Sequence, residues 1–351
     1  MRPIARHGLV GAAAVVLVLA AIVAGARFRA EPEYEPLLDA VVAAGVPGAL
    51  ALVEDGSRRQ LLAAGLAARS PATRMRALDR FRVGSVTKTF VAAVVLQLVA
   101  EGKLELDAPV GRWLPGLVPP GITVRHLLAH TSGLDDYVND PRAFDLGSPR
   151  GLIALAGRRP TLGEPGERYA YASTNYLVLG LLVERVTGTS LERQLEERLF
   201  RPLGLARTTF EPGAVRLHVH GYRALSHDGI VFERLEDTTG EDAGWAWAAG
   251  AIVSRADDVA AFFDALLAGR VVPQALLGEM IPERGYGLGL ASFRSRCGLA
   301  VGHTGNVLGY VSVVWNSPDR DRRVVLMGNV YPIGPDAERA IRALLEAAFC
   351  D

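Results

Sequence analysis

Between Phe90 and Val99 nearly every residue is apolar: Phe90, Val91, Ala92, Ala93, Val94, Val95, Leu96, Leu98 and Val99. A helix that is apolar on most sides must be enclosed by other elements, so this segment predicts a central, buried helix. Ser85, Val86, Thr87 and Lys88 open it. Three residues apart on a helix, the Ser85 hydroxyl and the Lys88 amine share a face. Desolvation and the positive end of the helix dipole both disfavour a charged ammonium there, which lowers the lysine pKa. A neutral amine beside a serine hydroxyl can take its proton, and the same helix end favours negative charge on an attacked carbonyl. On the tetrad alone, a serine cap with a lysine snorkelling to solvent fits as well as a nucleophile and its base.

The chain has 351 residues, half of them hydrophobic, enough for one large domain or two small ones. Its 38 basic and 38 acidic residues balance, which removes the electrostatic case for nucleic acid. Substrate charge must therefore be handled locally. At the N-terminus, Met1 to His7 carries two arginines and precedes an unbroken small and apolar run from Gly8 to Ala26. Residues 1–26 read as a signal peptide, with Ala24 and Ala26 spaced as a peptidase site, or as a retained membrane anchor, since the run nears bilayer length. The expectation is a secreted or extracytoplasmic protein. In that setting the two cysteines, Cys297 and Cys350, are most simply a disulfide. Such a bridge would clamp the last helix to the strands after Cys297.

Strand signals cluster at the two ends of the chain. Ala49 to Glu54 and Gln60 to Leu66 are joined across Asp55 and Gly56, a tight-hairpin signal. Leu299 to His303, Tyr310 to Asn316 and Arg323 to Asn329 read as three more strands, and helices are expected at Tyr34 to Ala44 and Asp336 to Phe349. The predicted fold is α/β, of the α+β kind: one antiparallel sheet from regions 30–80 and 280–351, flanked by the first and last helices. A helical insertion fills 81–279, with helices at Val124 to His130, Asn175 to Thr187, Ser190 to Leu199 and Ala256 to Ala268. Residues 27–351 thus form one domain.

Two further polar clusters stand beside buried segments. Tyr169 to Tyr176 leads into the helix ending at Gly188, and a tyrosine at such a junction can offer its hydroxyl to a cleft or simply pack. Gly302, His303, Thr304 and Gly305 stand at the end of a predicted strand, where the glycines permit close backbone approach.

The ordered set Ser85-x-x-Lys88, Tyr171 and His303-Thr304-Gly305 resembles the penicillin-recognising serine hydrolases, in particular secreted serine D-alanyl-D-alanine carboxypeptidases and their class C beta-lactamase relatives. The phrases FRVGSVTKT from Phe81, LQLVAEGKLELD from Leu96, HTSGL from His130, YGLGL from Tyr286 and GHTGNVLGY from Gly302 follow that family in order, from about residue 35 to the C-terminus. The resemblance implies a beta-lactamase/transpeptidase-like fold and an acyl-enzyme on Ser85, with Lys88 and Tyr171 sharing the proton transfers. It implies an oxyanion site from the backbone amides of Ser85 and Asn306, with His303, Thr304, Gly305 and Ser173 lining the cleft. It places Trp245 as an aromatic wall, with Trp247 as competitor, and Cys297 with Cys350 where such carboxypeptidases carry a disulfide.

Two departures bear on specificity. Where the family usually has Tyr-Ser-Asn or Tyr-x-Asn, this chain has Tyr171, Ala172 and Ser173, and serine cannot offer both an amide donor and a carbonyl acceptor. Ala291 and Asn306 stand where the carboxypeptidases place an arginine and a second threonine, with Arg294 nearby as a substitute. The resemblance therefore implies a D-alanyl-D-alanine carboxypeptidase first. A serine esterase, D-aminopeptidase or beta-lactamase of the same fold comes next, and a non-catalytic cell-wall binding protein last. Expected ligands are peptidoglycan-derived D-amino acid peptides, small esters or amides, and beta-lactams, acting on a monomer without cofactor, metal or nucleic acid. His126 and His130, four apart, lack the glutamate of a zinc protease. Gly285, Gly287 and Gly289 read as a closely packed strand edge, and the adjacent Asp135 and Asp136 receive no role.

Overall fold

A computed structural model describes residues 34–56, 58–227 and 230–350. The expected leader at 1–26 lies outside them. Seven antiparallel strands form the main sheet: β1 (Gly48–Asp55), β2 (Arg58–Arg69), β3 (Ala72–Arg74), β4 (Ala291–Ser295), β5 (Gly298–Val307), β6 (Tyr310–Asn316) and β7 (Arg322–Gly328), in the order β3-β2-β1-β7-β6-β5-β4. The two ends of the chain meet where β1 pairs with β7, Ala49 opposite Gly328 through Asp55 opposite Arg322. Asp55 also faces Arg58, and Gly56 turns with φ +57°, so the first hairpin is as tight as its sequence predicts.

Both faces of this sheet are covered, which is why β1, β6 and β7 read as continuous rather than alternating apolar runs. Ala49, Ala51, Val53, Val324 and Leu326 face the helices α1 (Tyr34–Ala43) and α5 (Pro335–Cys350). Leu50, Leu52, Val325 and Met327 face the inserted region. A disulfide joins Cys297, in the β4–β5 turn, to Cys350 at the end of α5, with their Cα atoms 5.3 Å apart.

The insertion is organised around α2 (Thr87–Ala100), in which every residue from Thr87 to Leu96 is buried. Phe90 stacks on Phe262 of α4 (Ala256–Leu267), with ring centroids 3.6 Å apart and planes 13° from parallel, and meets Phe200 edge-on. Alongside runs α3 (Thr174–Thr187), which ends at Gly188 in the left-handed conformation.

The middle is less purely helical than the sequence suggests. Phe81–Arg82, Ile252–Ser254 and Thr209–Phe210 make a small sheet, and Val330–Tyr331, Tyr222–His227 and Ile230–Asp237 make another. Strands of two or three residues carry no period of their own and exist only through their partners. The stretch expected as one helix at Ser190 to Leu199 is an α-turn at Leu191–Leu195 followed by a π-helical turn at Glu196–Phe200.

Candidate active site

Thr87 and Thr89 fix the start of α2. The Ile252 amide donates to Thr87 Oγ1 at 3.1 Å, and Thr89 Oγ1 donates to the Gly289 carbonyl at 2.8 Å. Lys88, between them, is wholly buried, and its Nζ donates to Ser85 Oγ and to the Ala249 carbonyl, each at 2.9 Å. The lysine does not snorkel to solvent. Burial lowers its pKa from 10.5 to about 7, against the opposing charge of Asp136. At neutral pH the amine is therefore close to half in its base form, one hydrogen bond from a serine hydroxyl.

Ser85 sits on the short turn Gly84–Val86, at the floor of a cleft of 1170 Å³. β5 passes close above it, and two glycines make that approach possible. A Cβ on Gly305 would lie 2.0 Å from the Val83 carbonyl oxygen and 2.9 Å from the Ser85 amide nitrogen. A Cβ on Gly84, which has φ +53°, would lie 2.6 Å from the Asn306 amide nitrogen. The two glycines thus let the backbone segments that carry the Ser85 and Asn306 amides pack closely, an arrangement suited to holding one oxyanion.

Of the residues singled out from sequence, Ser85, Lys88, Tyr171, Ser173, Trp245, His303, Thr304 and Asn306 all line this cleft. Gly305 does not. It is pressed behind the wall against Val83 and Ser85, so its expected contact with substrate is replaced by a packing role. The strand was expected to end at His303, but β5 continues to Val307, pairing Thr304 with Val313 and Asn306 with Val311. Trp247 is also excluded from the cleft, since its ring packs where a Cβ on Gly180 would be. Trp245 remains as the aromatic wall, edge-on to the exposed Phe144 at 5.0 Å.

Tyr171 lines the cleft with Ser85, and burial raises its pKa above the ordinary tyrosine value against the opposing influence of the Ser85 hydroxyl. Its ring lies on the imidazole of His130, with centroids 4.2 Å apart and planes 27° from parallel. Lys88 Nζ is 5.1 Å from the centre of the same ring. His130 Nδ1 accepts from the Ala172 amide at 3.2 Å and from Asn175 Nδ2 at 3.0 Å, which fixes the segment carrying Tyr171 and assigns the ring proton to Nε2. His126 instead closes a capping box with Thr123, and His130 has left that helix with φ +56°, so the two rings do not share a helical face as metal ligands would.

Tyr286 and Asp136 line the cleft, although the sequence reading gave neither a role there. Tyr286, within the glycine-alternating segment, donates its hydroxyl to His303 Nε2 at 2.9 Å, while His303 Nδ1 donates to the Thr304 carbonyl. Burial holds His303 near pKa 3, so it stays neutral. Asp136 lines the cleft, whereas its neighbour Asp135 turns away to Arg159. The only earlier signal was its place in the loop after HTSGL.

The cleft has few cations. Among the described residues lining it, Lys88 and Arg223 carry basic groups, and Arg223 is already paired with Glu241 at 2.6 Å and Glu236 at 3.5 Å. Ala291 lines the wall, but Arg294, expected as a substitute cation, does not.

Residues 34–349 match the Beta-lactamase family over nearly the whole described chain. The chain belongs to the beta-lactamase family. Its fold and its relatives make it a serine hydrolase of the penicillin-binding and beta-lactamase type. This beta-lactamase family member is 37% identical to Esterase EstB of Burkholderia gladioli over 206 residues, 52% of this chain and 50% of that protein. It spans about half the length of the curated relatives it matches. Among solved structures, a D-stereospecific amidohydrolase from Streptomyces sp. is 34% identical, with TM-score 0.81, covering 91% of this chain and 99% of that one. The D-amino acid amidase of Ochrobactrum anthropi SV3 is 26% identical, also with TM-score 0.81, covering 90% and 97%.

Proposed function

We propose that this protein hydrolyses amides or esters of D-amino acids through an acyl-enzyme on Ser85. The observation that carries the reading is the buried Lys88 amine, with its pKa near 7, hydrogen bonded at 2.9 Å to the Ser85 hydroxyl. Neutral Lys88 takes the Ser85 proton as Oγ attacks the carbonyl carbon, and the Ser85 and Asn306 amides hold the oxyanion. The bond to the leaving group then breaks, and that group departs with a proton passed through Tyr171. Water attacks the acyl-enzyme by the reverse route, releasing the acid and restoring Ser85.

The D configuration rests on similarity to the amidohydrolase and the amidase. The preference over a carboxypeptidase rests on charge. A carboxypeptidase must seat a terminal carboxylate, and Arg223, the one exposed cation among the described residues lining the cleft, already has two carboxylate partners. Export, proposed from residues 1–26, is supported by the disulfide and is tested by N-terminal sequencing of protein recovered outside the cytoplasm. A retained leader in cytoplasmic protein would contradict it.

The test of function is intact mass spectrometry after incubation with benzylpenicillin, beside D-phenylalanine amide turnover, for the parent and Ser85→Ala. Amide hydrolysis, or a penicillin adduct on the parent alone, supports the acyl-enzyme. Activity surviving in Ser85→Ala refutes it. Release of D-alanine from a peptide ending in D-Ala-D-Ala, faster than amide hydrolysis, would restore the carboxypeptidase reading.

A further inference from the structure

Asp136 lines the same cleft as Lys88, and its charge opposes the lowering of the Lys88 pKa. Its carboxylate accepts from the Val138 amide at 3.4 Å and lines the cleft, and it has no ion-pair partner within 4.0 Å among the described residues. Burial raises its pKa, which marks a carboxylate short of solvent and of counter-charge. Lys88, the cation of the same cleft whose charge acts on Asp136, must give up that charge to act as a base. At the moment of reaction Asp136 therefore faces the cleft with backbone dipoles as its only compensation. Capping the turn Tyr137–Asn139 accounts for the bond to Val138, but an asparagine would cap that turn equally well.

From this we infer that the Asp136 carboxylate seats a protonated amine of the substrate, so that the preferred substrates are amino acid amides or esters with a free α-amino group. The inference rests on the acyl-enzyme reading and narrows it. An ammonium held by Asp136 replaces the charge Lys88 gives up. Close to Lys88, it also favours the neutral form of that amine by like-charge repulsion. Asp136 is thus a specificity-determining residue, and a substrate with its amine acylated forfeits the pairing. Asp145 and Asp242 also line the cleft and oppose an anionic substrate.

The test compares kcat/KM for D-alanine p-nitroanilide and its N-acetyl form, with p-nitrophenyl acetate as an amine-free probe of the acyl-enzyme. The parent is expected to favour the free amine by at least about tenfold, the scale of one charge-assisted pairing. In Asp136→Asn the ratio is expected to collapse towards one. Any change in Lys88 itself cancels in that ratio. A parent that handles both anilides equally, or an Asp136→Asn that keeps the ratio, overturns the inference even where Ser85-dependent acetate ester hydrolysis persists. Loss of Ser85 dependence on the acetate ester would instead overturn the acyl-enzyme. In that event, calorimetric binding of D-phenylalanine amide against its N-acetyl form to Ser85→Ala still decides the anchor: equal binding rejects it, and tighter binding of the free amine, abolished by adding Asp136→Asn, supports it.

Discussion

If Lys88 is the base, activity on a substrate with no titrating group of its own must follow the neutral fraction of that one amine. The perturbation is pH and the substrate is p-nitrophenyl acetate. Lys88 is held at a pKa of about 7 by burial. The sign is fixed by chemistry: the protonated amine cannot accept the Ser85 proton, so kcat/KM rises with pH. With that midpoint the neutral fraction is about 9% at pH 6 and about 90% at pH 8, a rise of roughly tenfold. A lysine left at its ordinary pKa would be only about 0.03% neutral at pH 7, so burial raises the working fraction by about a thousandfold. Neither cleft histidine interferes. His303 titrates near 3, and His130, lowered by burial and by Lys88, also stays neutral. Tyr171 and Tyr176, which face Lys88, are both raised by burial and remain protonated over the range. The assay is initial rates from pH 5 to 9 at constant ionic strength, corrected for spontaneous hydrolysis. A flat profile, or a rate still rising about tenfold per pH unit up to pH 9 with no plateau, would refute the assignment of Lys88 as a desolvated base.

Two structural perturbations test the frame around that base. Gly305→Ala drives a methyl to 2.0 Å from the Val83 carbonyl and pushes β5 away from the Ser85 amide, so kcat is expected to fall by about 10²–10³, the loss of one oxyanion donor. Unchanged kcat with the alanine present would show that the two amides do not act together. Reducing the Cys297–Cys350 bridge frees a loop with a sequence separation of 53 and is expected to lower stability by about 4 kcal/mol on chain-entropy grounds. Urea denaturation with and without reductant measures this, and coincident midpoints would contradict it.

Much of this protein was legible in its sequence because the signals concerned are local. The apolar run behind Lys88 demanded an enclosed helix, and α2 is buried throughout its first ten residues. The hairpin at Asp55 and Gly56 needed only two strands and a turn, and the spacing of Ser85 and Lys88 put hydroxyl and amine on one face before any neighbour was known. What the sequence could not supply was contact between distant segments. Tyr286 reaches His303 from a loop, Asp136 enters the cleft while Asp135 leaves it, and Trp245 rather than Trp247 forms the wall. The short strands at Phe81–Arg82 and Thr209–Phe210 exist through their pairing with Ile252–Ser254. Above all, the depth that turns Lys88 from a surface cation into a base comes from the segments closing over it, including the Ala249 carbonyl that holds its Nζ. Sequence fixes which groups sit within one helical turn; desolvation depends on everything packed around them, and only the tertiary structure decides that.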